Sequence, residues 1–397
     1  MKRSWNQISN SKINQTDKNN SAKKINIDNS LPKIFFFLND VNDINEIINT
    51  DPPDDNPIPP LCSGINCDHD EWSLNVPVIP DKFSHKKNIN LQDLIDLGEC
   101  YHCKLQQTFH GLSLERLSIL RDSLIKLEKV IGMNSVKENF CEQIIYFLLD
   151  LEPNPAEMLH TIIEGPPGVG KTHVIGILAE IYTKMGYLTS GKINKIKLND
   201  LKGKYVGHSA PLTQKAIDDS IGGILLLDEF YSLGSEGILD SFSKEIIDTL
   251  NRNLTENAGK FVCMIAGYGD QIEKCIFSHN IGLKSRFRFK FKIDSYNYQE
   301  LFKIFFTKVI QDGWLLTDEN EICDFFKLHC EKFKYYGRDM ETLLFHTKIA
   351  HSKRIIFEPK QTNKIINLSD MEMGLQRFMV HNYTDIVSDI SHTQIYL

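Results

Sequence analysis

Gly165-Pro166-Pro167-Gly168-Val169-Gly170-Lys171-Thr172 fits the pattern G-x-x-x-x-G-K-[ST], and what flanks it decides the fold. His160–Ile163 is a short apolar strand entering the loop, and Lys171–Met185 reads as the helix leaving it. The glycines let backbone N–H groups turn inward around an anion, Lys171 adds a positive charge, and the helix start adds its dipole. Working outward, Ile193–Leu198 alternates apolar and polar residues. Ile224–Leu227 is solidly apolar, as a central parallel strand buried on both faces must be. Ile238–Leu254 is helical in pattern, Phe261–Ala266 is a further buried strand, and Phe287–Ile293 alternates strictly. This succession predicts an α/β fold with a parallel sheet flanked by helices.

Asp228 and Glu229 follow the run Ile224-Leu-Leu-Leu, at the carboxyl end of a buried strand, where such sheets bind ligands. The loop and the acid pair together describe an ATP site. Lys171 would sit on the β- and γ-phosphate oxygens, Thr172 and Asp228 on Mg²⁺, and Glu229 would activate the attacking water. Residues 165–172, with His173 next on the helix, form the candidate nucleotide-binding set.

Before the sheet, Leu114, Leu117, Leu120 and Leu124 recur at helical spacing from Leu112 onward. Gly132 interrupts, and Asn134 or Ser135 can cap a second helix carrying Val136, Phe140, Ile144 and Phe147 on one face. After Asp294 strand signals fade; Tyr298–Ile310, Glu319–Phe333 and Asp339–Lys353 read as a small helical domain. Met1 to about Ser30, rich in Asn, Lys and Ser, lacks the apolar area needed to order itself. Asp51–Leu61 is a Pro-rich linker. The expected organisation is an irregular region over 1–90, a Cys-containing adaptor segment over 91–111, an ATPase domain over 112–293, and a helical lid and tail over 294–397.

The net charge of −7 argues against a general grip on nucleic acid or anionic membrane. No apolar run approaches the roughly 20 residues of a membrane span, and Ile34–Leu38 is too short for a signal-peptide core. A soluble, cytoplasmic or otherwise intracellular protein is the expectation.

With both motifs in place, the segment from about Leu112 to Met379 resembles an AAA+ ATPase, of the class containing the sporulation protein SpoVK and the rubisco activase CbbX. The resemblance implies an adenine pocket at Val130-Ile131-Gly132-Met133, where a helix-breaking turn fits the residues equally well. Lys204-Tyr205-Val206-Gly207-His208 matches that class's pore loop, whose aromatic grips a polypeptide threaded through a ring. Arg286, in Gly282-Leu-Lys-Ser-Arg-Phe287, matches the arginine finger that serves a neighbour's ATP, with Arg288 placed to assist or substitute. Arg338 falls at sensor 2, at the start of a lid helix. At sensor 1 the usual Asn is replaced by Ala266-Gly267-Tyr268, as in the SpoVK/CbbX subgroup.

Cys62, Cys67, Cys100 and Cys103, with His69 and His102, invite a structural Zn²⁺ reading; free cysteines in a reducing compartment are the preferred one. The leading function is a ring-forming homo-oligomer, a hexamer, that uses ATP and Mg²⁺ to remodel or thread a protein substrate. The alternatives are a nucleic-acid motor of clamp-loader type, for which Lys202, Lys204 and His208 offer only a thin basic rim, and a nucleotide-gated scaffold.

Overall fold

The computed structural model describes residues 79, 81–83, 86–101, 107–151, 159–229, 240–278, 280–356 and 364–393. All of them lie in the compact unit Pro59–Leu397. The expected disorder of 1–30 and the Pro-rich linker fall outside the described residues. No described helix is long and apolar enough to cross a membrane.

The described residues open with a short 3-10 turn at Asp81–Phe83, followed by α1 (Leu91–Glu99), the hairpin β1 (Thr108–Phe109) and β2 (Leu112–Ser113), then α2 (Leu114–Glu128) and α3 (Asn134–Leu148). The α/β part follows: β3 (Thr161–Glu164), α4 (Lys171–Lys184), β4 (Ile193–Ile196), α5 (Leu198–Leu201), α6 (Ser209–Asp218) and β5 (Ile224–Asp228). It continues through α7 (Ser241–Glu256), β6 (Val262–Gly267), α8 (Gly269–Ile272), α9 (Ile281–Lys284) and β7 (Phe289–Lys292). Four helices close the chain, α10 (Tyr298–Gln311), α11 (Glu319–His329), α12 (Gly337–Ile355) and α13 (Leu368–Thr393), with β8 (Leu315–Leu316) and β9 (Ile365–Ile366) between them.

The main sheet has the order β4-β5-β6-β3-β7 and is parallel throughout. Its apolar runs divide by the strand period of two. Ile224, Leu226, Val262, Met264 and Ile163 pack against α1–α4, whereas Leu225, Leu227, Cys263, Ile265 and Ile162 pack against α6, α7 and α9. That is why Ile224–Leu227 carries no polar residue: both of its faces are covered. Each such side chain contributes about 2 kcal/mol on burial. A third apolar cluster, with Phe305, Phe326, Met340, Leu343 and Phe378, joins α10–α13.

Three local differences from expectation have physical causes. Leu112 lies in β2 rather than in a helix, because His110 and Gly111 take positive φ (47° and 91°) and turn Phe109 back onto Leu112. The helix then starts at Leu114, where the Ser113 hydroxyl accepts from the Arg116 N–H. Neither Asn134 nor Ser135 caps α3; Met133 precedes it in the left-handed region, at φ 58°. After Asp294 strands are short rather than gone, since β8 pairs in parallel with β9.

Candidate nucleotide site

The phosphate-loop candidate leaves β3, the strand from which chain order jumps outward to β4 and to whose other side it later returns as β7. The loop therefore sits at the sheet's topological switch point. Gly168 and Gly170 take φ of 79° and 90°, which residues with a Cβ adopt only at a cost. At Gly168 space is also decisive: a Cβ there would lie 1.9 Å from the Tyr335 carbonyl oxygen. The Gly337 N–H donates to the Gly168 carbonyl at 3.1 Å, fastening the start of α12 to the loop. Next to it, the Tyr296 hydroxyl donates to the Val169 carbonyl at 2.8 Å. Burial pushes the Tyr296 pKa up to about 12, so that hydroxyl keeps its proton at neutral pH.

Tyr296 also meets Tyr336 edge-on at 5.9 Å and borders Gly132, where a Cβ would stand 3.1 Å from the Tyr296 ring and 2.7 Å from a Glu300 oxygen. Met133 also reaches the loop, its Cε 3.6 Å and the Tyr296 hydroxyl 4.0 Å from where a Gly170 Cβ would be. The Tyr296 ring and Glu300 thus fill the space beside Gly132, which is why a residue with a Cβ does not fit there.

Lys171 folds back on the loop, its ammonium donating to the carbonyls of Gly165 at 2.7 Å and Pro166 at 2.9 Å. Burial lowers its pKa; Asp228 and Glu229 pull it up and Arg338 pushes it down, so these four charges share one field. The Tyr268 ring centroid lies 5.8 Å from the Lys171 ammonium, and burial raises the Tyr268 pKa, with Tyr335 and Glu229 adding to it. Tyr268 thus stands beside the loop at the sensor 1 segment, where the usual Asn is missing. Glu229 has φ 54°, a left-handed conformation that costs a non-glycine residue about 1–3 kcal/mol, and it is held there by its N–H donating to the Ala266 carbonyl at 3.1 Å. Thr172 and His173 are exposed on the first turn of α4. The hydroxyl of Thr172 and the carboxylate of Asp228 are hard oxygen donors, which fits Mg²⁺. Asp228 is meanwhile ion-paired to Lys195 of β4 at 2.6 Å.

Two predicted groups of residues lie elsewhere. In the segment between α5 and α6, Tyr205 and Val206 are 69% and 67% exposed, their crown flanked by Gly203 and Gly207. Arg286 precedes β7, whose register pairs Phe289 with Thr161 and Lys292 with Glu164. The arginine lies beyond the amino end of the sheet and the phosphate loop beyond its carboxyl end, separated by about 10 Å of strand alone. Its guanidinium binds the Thr255 hydroxyl through Nε at 2.9 Å and the Gly282 carbonyl through a terminal nitrogen. Arg288 is exposed two residues further on.

Comparison with known proteins is consistent with this geometry. Residues 161–294 match the model of the ATPase family associated with various cellular activities (AAA). The chain is 62% identical over 366 residues to the CfxQ-like protein R730 of Acanthamoeba polyphaga mimivirus, covering 91% of this chain and 89% of that one. It is 26% identical over 306 residues to the CfxQ homolog of Galdieria sulphuraria, covering 74% and 94%. It is 32% identical over 211 residues to stage V sporulation protein K of Bacillus subtilis, covering 51% and 64%. The chain belongs to the CfxQ-like AAA ATPases.

Nucleotide binding and ATP hydrolysis come with that membership. In this AAA ATPase the sequence alone does not announce Lys195 beside Asp228 or Tyr296 beside the loop, since no spacing links them. Cys62, Cys67 and Cys103, with His69 and His102, lie outside the described residues. Cys100 is buried in the α1–α2 packing, where its thiol donates to the Asp96 carbonyl and burial raises its pKa, which works against a thiolate ligand. Among the described residues no group of three or more His, Cys, Asp or Glu side chains is arranged to hold a metal.

Proposed function

We propose that this AAA ATPase assembles as a ring, a hexamer, and uses Mg²⁺-dependent ATP hydrolysis to draw a protein substrate past Tyr205, Val206 and Gly207. Residues 112–293 act as the ATPase body, 294–397 as its lid, and 91–111 as a segment seated on the body. Ile131 and Gly132 border the base; Gly165–Thr172, with His173, hold the phosphates; Thr172 and Asp228 hold the metal. Mg²⁺ supplies charge neutralisation of the β- and γ-phosphates. Glu229 takes the proton of the attacking water, and Arg338 reaches the phosphates from the lid of the same chain. Arg286, turned away from its own loop, meets the charge that develops on a neighbour's γ-phosphoryl.

The observation that carries the protein-remodelling reading is the Tyr205–Val206 crown on a short, Gly-flanked loop: an apolar pair 69% and 67% exposed, with the Tyr205 ring meeting His208 edge-on at 5.5 Å. Tyr205→Ala is expected to leave ATP turnover within about twofold while removing ATP-dependent unfolding of a test protein. Intact unfolding by that variant would end the threading idea, and ATPase stimulation by DNA would favour a nucleic-acid motor.

A further inference from the structure

Helix α7 touches both features on which that reading rests, one at each end. At its start, the Asp240 carboxylate, which caps the helix, pairs with Lys202 at 3.1 Å. One turn in, Glu245 Oε1 accepts the Gly207 N–H at 2.7 Å. These two contacts hold the base of the Tyr205 loop on both sides of its crown. At the far end, the Thr255 hydroxyl accepts from Arg286 Nε at 2.9 Å and donates to the Asn251 carbonyl at 3.3 Å. Glu245 and Thr255 lie about 15 Å apart along one unbroken helix.

The connection is stiff. Leu250 and Leu254 of α7 are buried with Ile217 of α6, the helix into which the loop runs. The amides of Gln214 and Asn253 bond each other in both directions, at 3.2 Å and 2.8 Å, locking α6 to α7. Glu245 also keeps its second oxygen buried without a partner, which costs stability and marks the residue as held for something other than packing.

We propose that Thr255 and Glu245 are positioning residues through which α7 links Arg286 to the Tyr205 loop. The inference rests on the shared-site reading above. Arg286 cannot keep the Thr255 contact through Nε and reorient freely toward a neighbour's phosphate. When it turns, α7 is released or drawn with it, and Glu245 carries that displacement to Gly207. The state of one subunit's ATP is thereby felt at the loop of the next.

The test is hydrogen–deuterium exchange of the full chain, read on a peptide spanning residues 202–208 with ATP against ADP in the Glu229→Gln background. The unsubstituted Thr255 chain should show a nucleotide-dependent difference in protection. Thr255→Val, which keeps the shape and loses the acceptor, should still bind ATP and lose most of that difference; Thr255→Ser should restore it. Glu245→Ala should exchange fast at Gly207 with either nucleotide, a second route should Thr255→Val not fold. A full ATP response in Thr255→Val, equal behaviour of the Val and Ser variants, or no response in the parent chain would each overturn the relay. If Arg286→Ala leaves turnover of the otherwise unaltered chain untouched, the shared-site reading itself falls. If it abolishes turnover while Thr255→Val keeps the loop response, only the relay falls.

Discussion

The two ends of the sheet are built on different terms. At the carboxyl end, past β3, β5 and β6, the backbone is strained and the charges are crowded: Gly168 and Gly170 in left-handed conformation, Glu229 at φ 54°, and Lys171 between Asp228, Glu229 and Arg338. At the amino end positive φ falls on turn glycines, Gly222 and Gly259 (82° and 77°), and His160, near Arg286, is silenced. His160 is buried there, its Nδ1 accepting from the Cys263 N–H at 3.0 Å, and burial lowers its pKa to about 4. One end is prepared for chemistry at a cost in stability; the other is a packed platform that carries Arg286, with Arg288 exposed two residues on. On the function proposed above, a complete site takes the carboxyl end of one copy and the amino end of another.

The contrast can be broken most forcefully at Arg286. Its replacement by Ala should lower turnover about a thousandfold or more. Mixing that variant with Glu229→Gln should restore part of the rate, because each chain carrying Glu229→Gln still offers an arginine to its neighbour. Two inactive chains that stay inactive when mixed would mean that the two ends do not meet between subunits.

A smaller effect tests the platform. Since the folded pKa of His160 lies below the unfolded value of about 6.5, the unfolded chain takes up the proton first as pH falls, and stability is lost from about pH 6.5 down toward pH 4. By pH 5 the loss should be about 2 kcal/mol, read by urea unfolding and diminished in His160→Phe. An unchanged pH profile in that variant would assign the acid sensitivity to the carboxyl end instead.

The smallest expected effect sharpens the reactive end. Tyr296→Phe removes the hydroxyl that holds the Val169 carbonyl, a loss of about 1 kcal/mol, and should weaken ATP binding about fivefold with the rate at saturation little changed. Equal affinity in isothermal titration would leave Tyr296 as packing alone.

Legibility followed distance along the chain. Gly165–Thr172 and Ile224–Glu229 were readable because each is a continuous segment whose residue types are demanded locally: glycine for positive φ, unbroken aliphatics for a strand covered on two faces. Strand boundaries shifted by a residue or two, while the hairpin at His110–Gly111 and the left-handed Met133 escaped notice, since neither carries the usual turn pair or cap. Lys195, Tyr296 and Glu245 were not readable as site residues at all. A lysine in an alternating strand and a tyrosine before a capped helix are ordinary until the sheet order brings β4 alongside β5 and the lid onto the loop.

The sequence by itself determined that this chain is an α/β protein with a phosphate loop, an acid pair on a buried strand, and a helical segment after the sheet. Periodicity and backbone demands act within a few residues, and they are written in composition. Only the tertiary structure decided that Asp228 is paired with Lys195, that Tyr296 and Gly337 fasten the lid helices to the loop, and that Arg286 stands at the far end from its own phosphate site. Those relations depend on strand order and register, which are set by the burial of both faces of the sheet at once and not by any single segment.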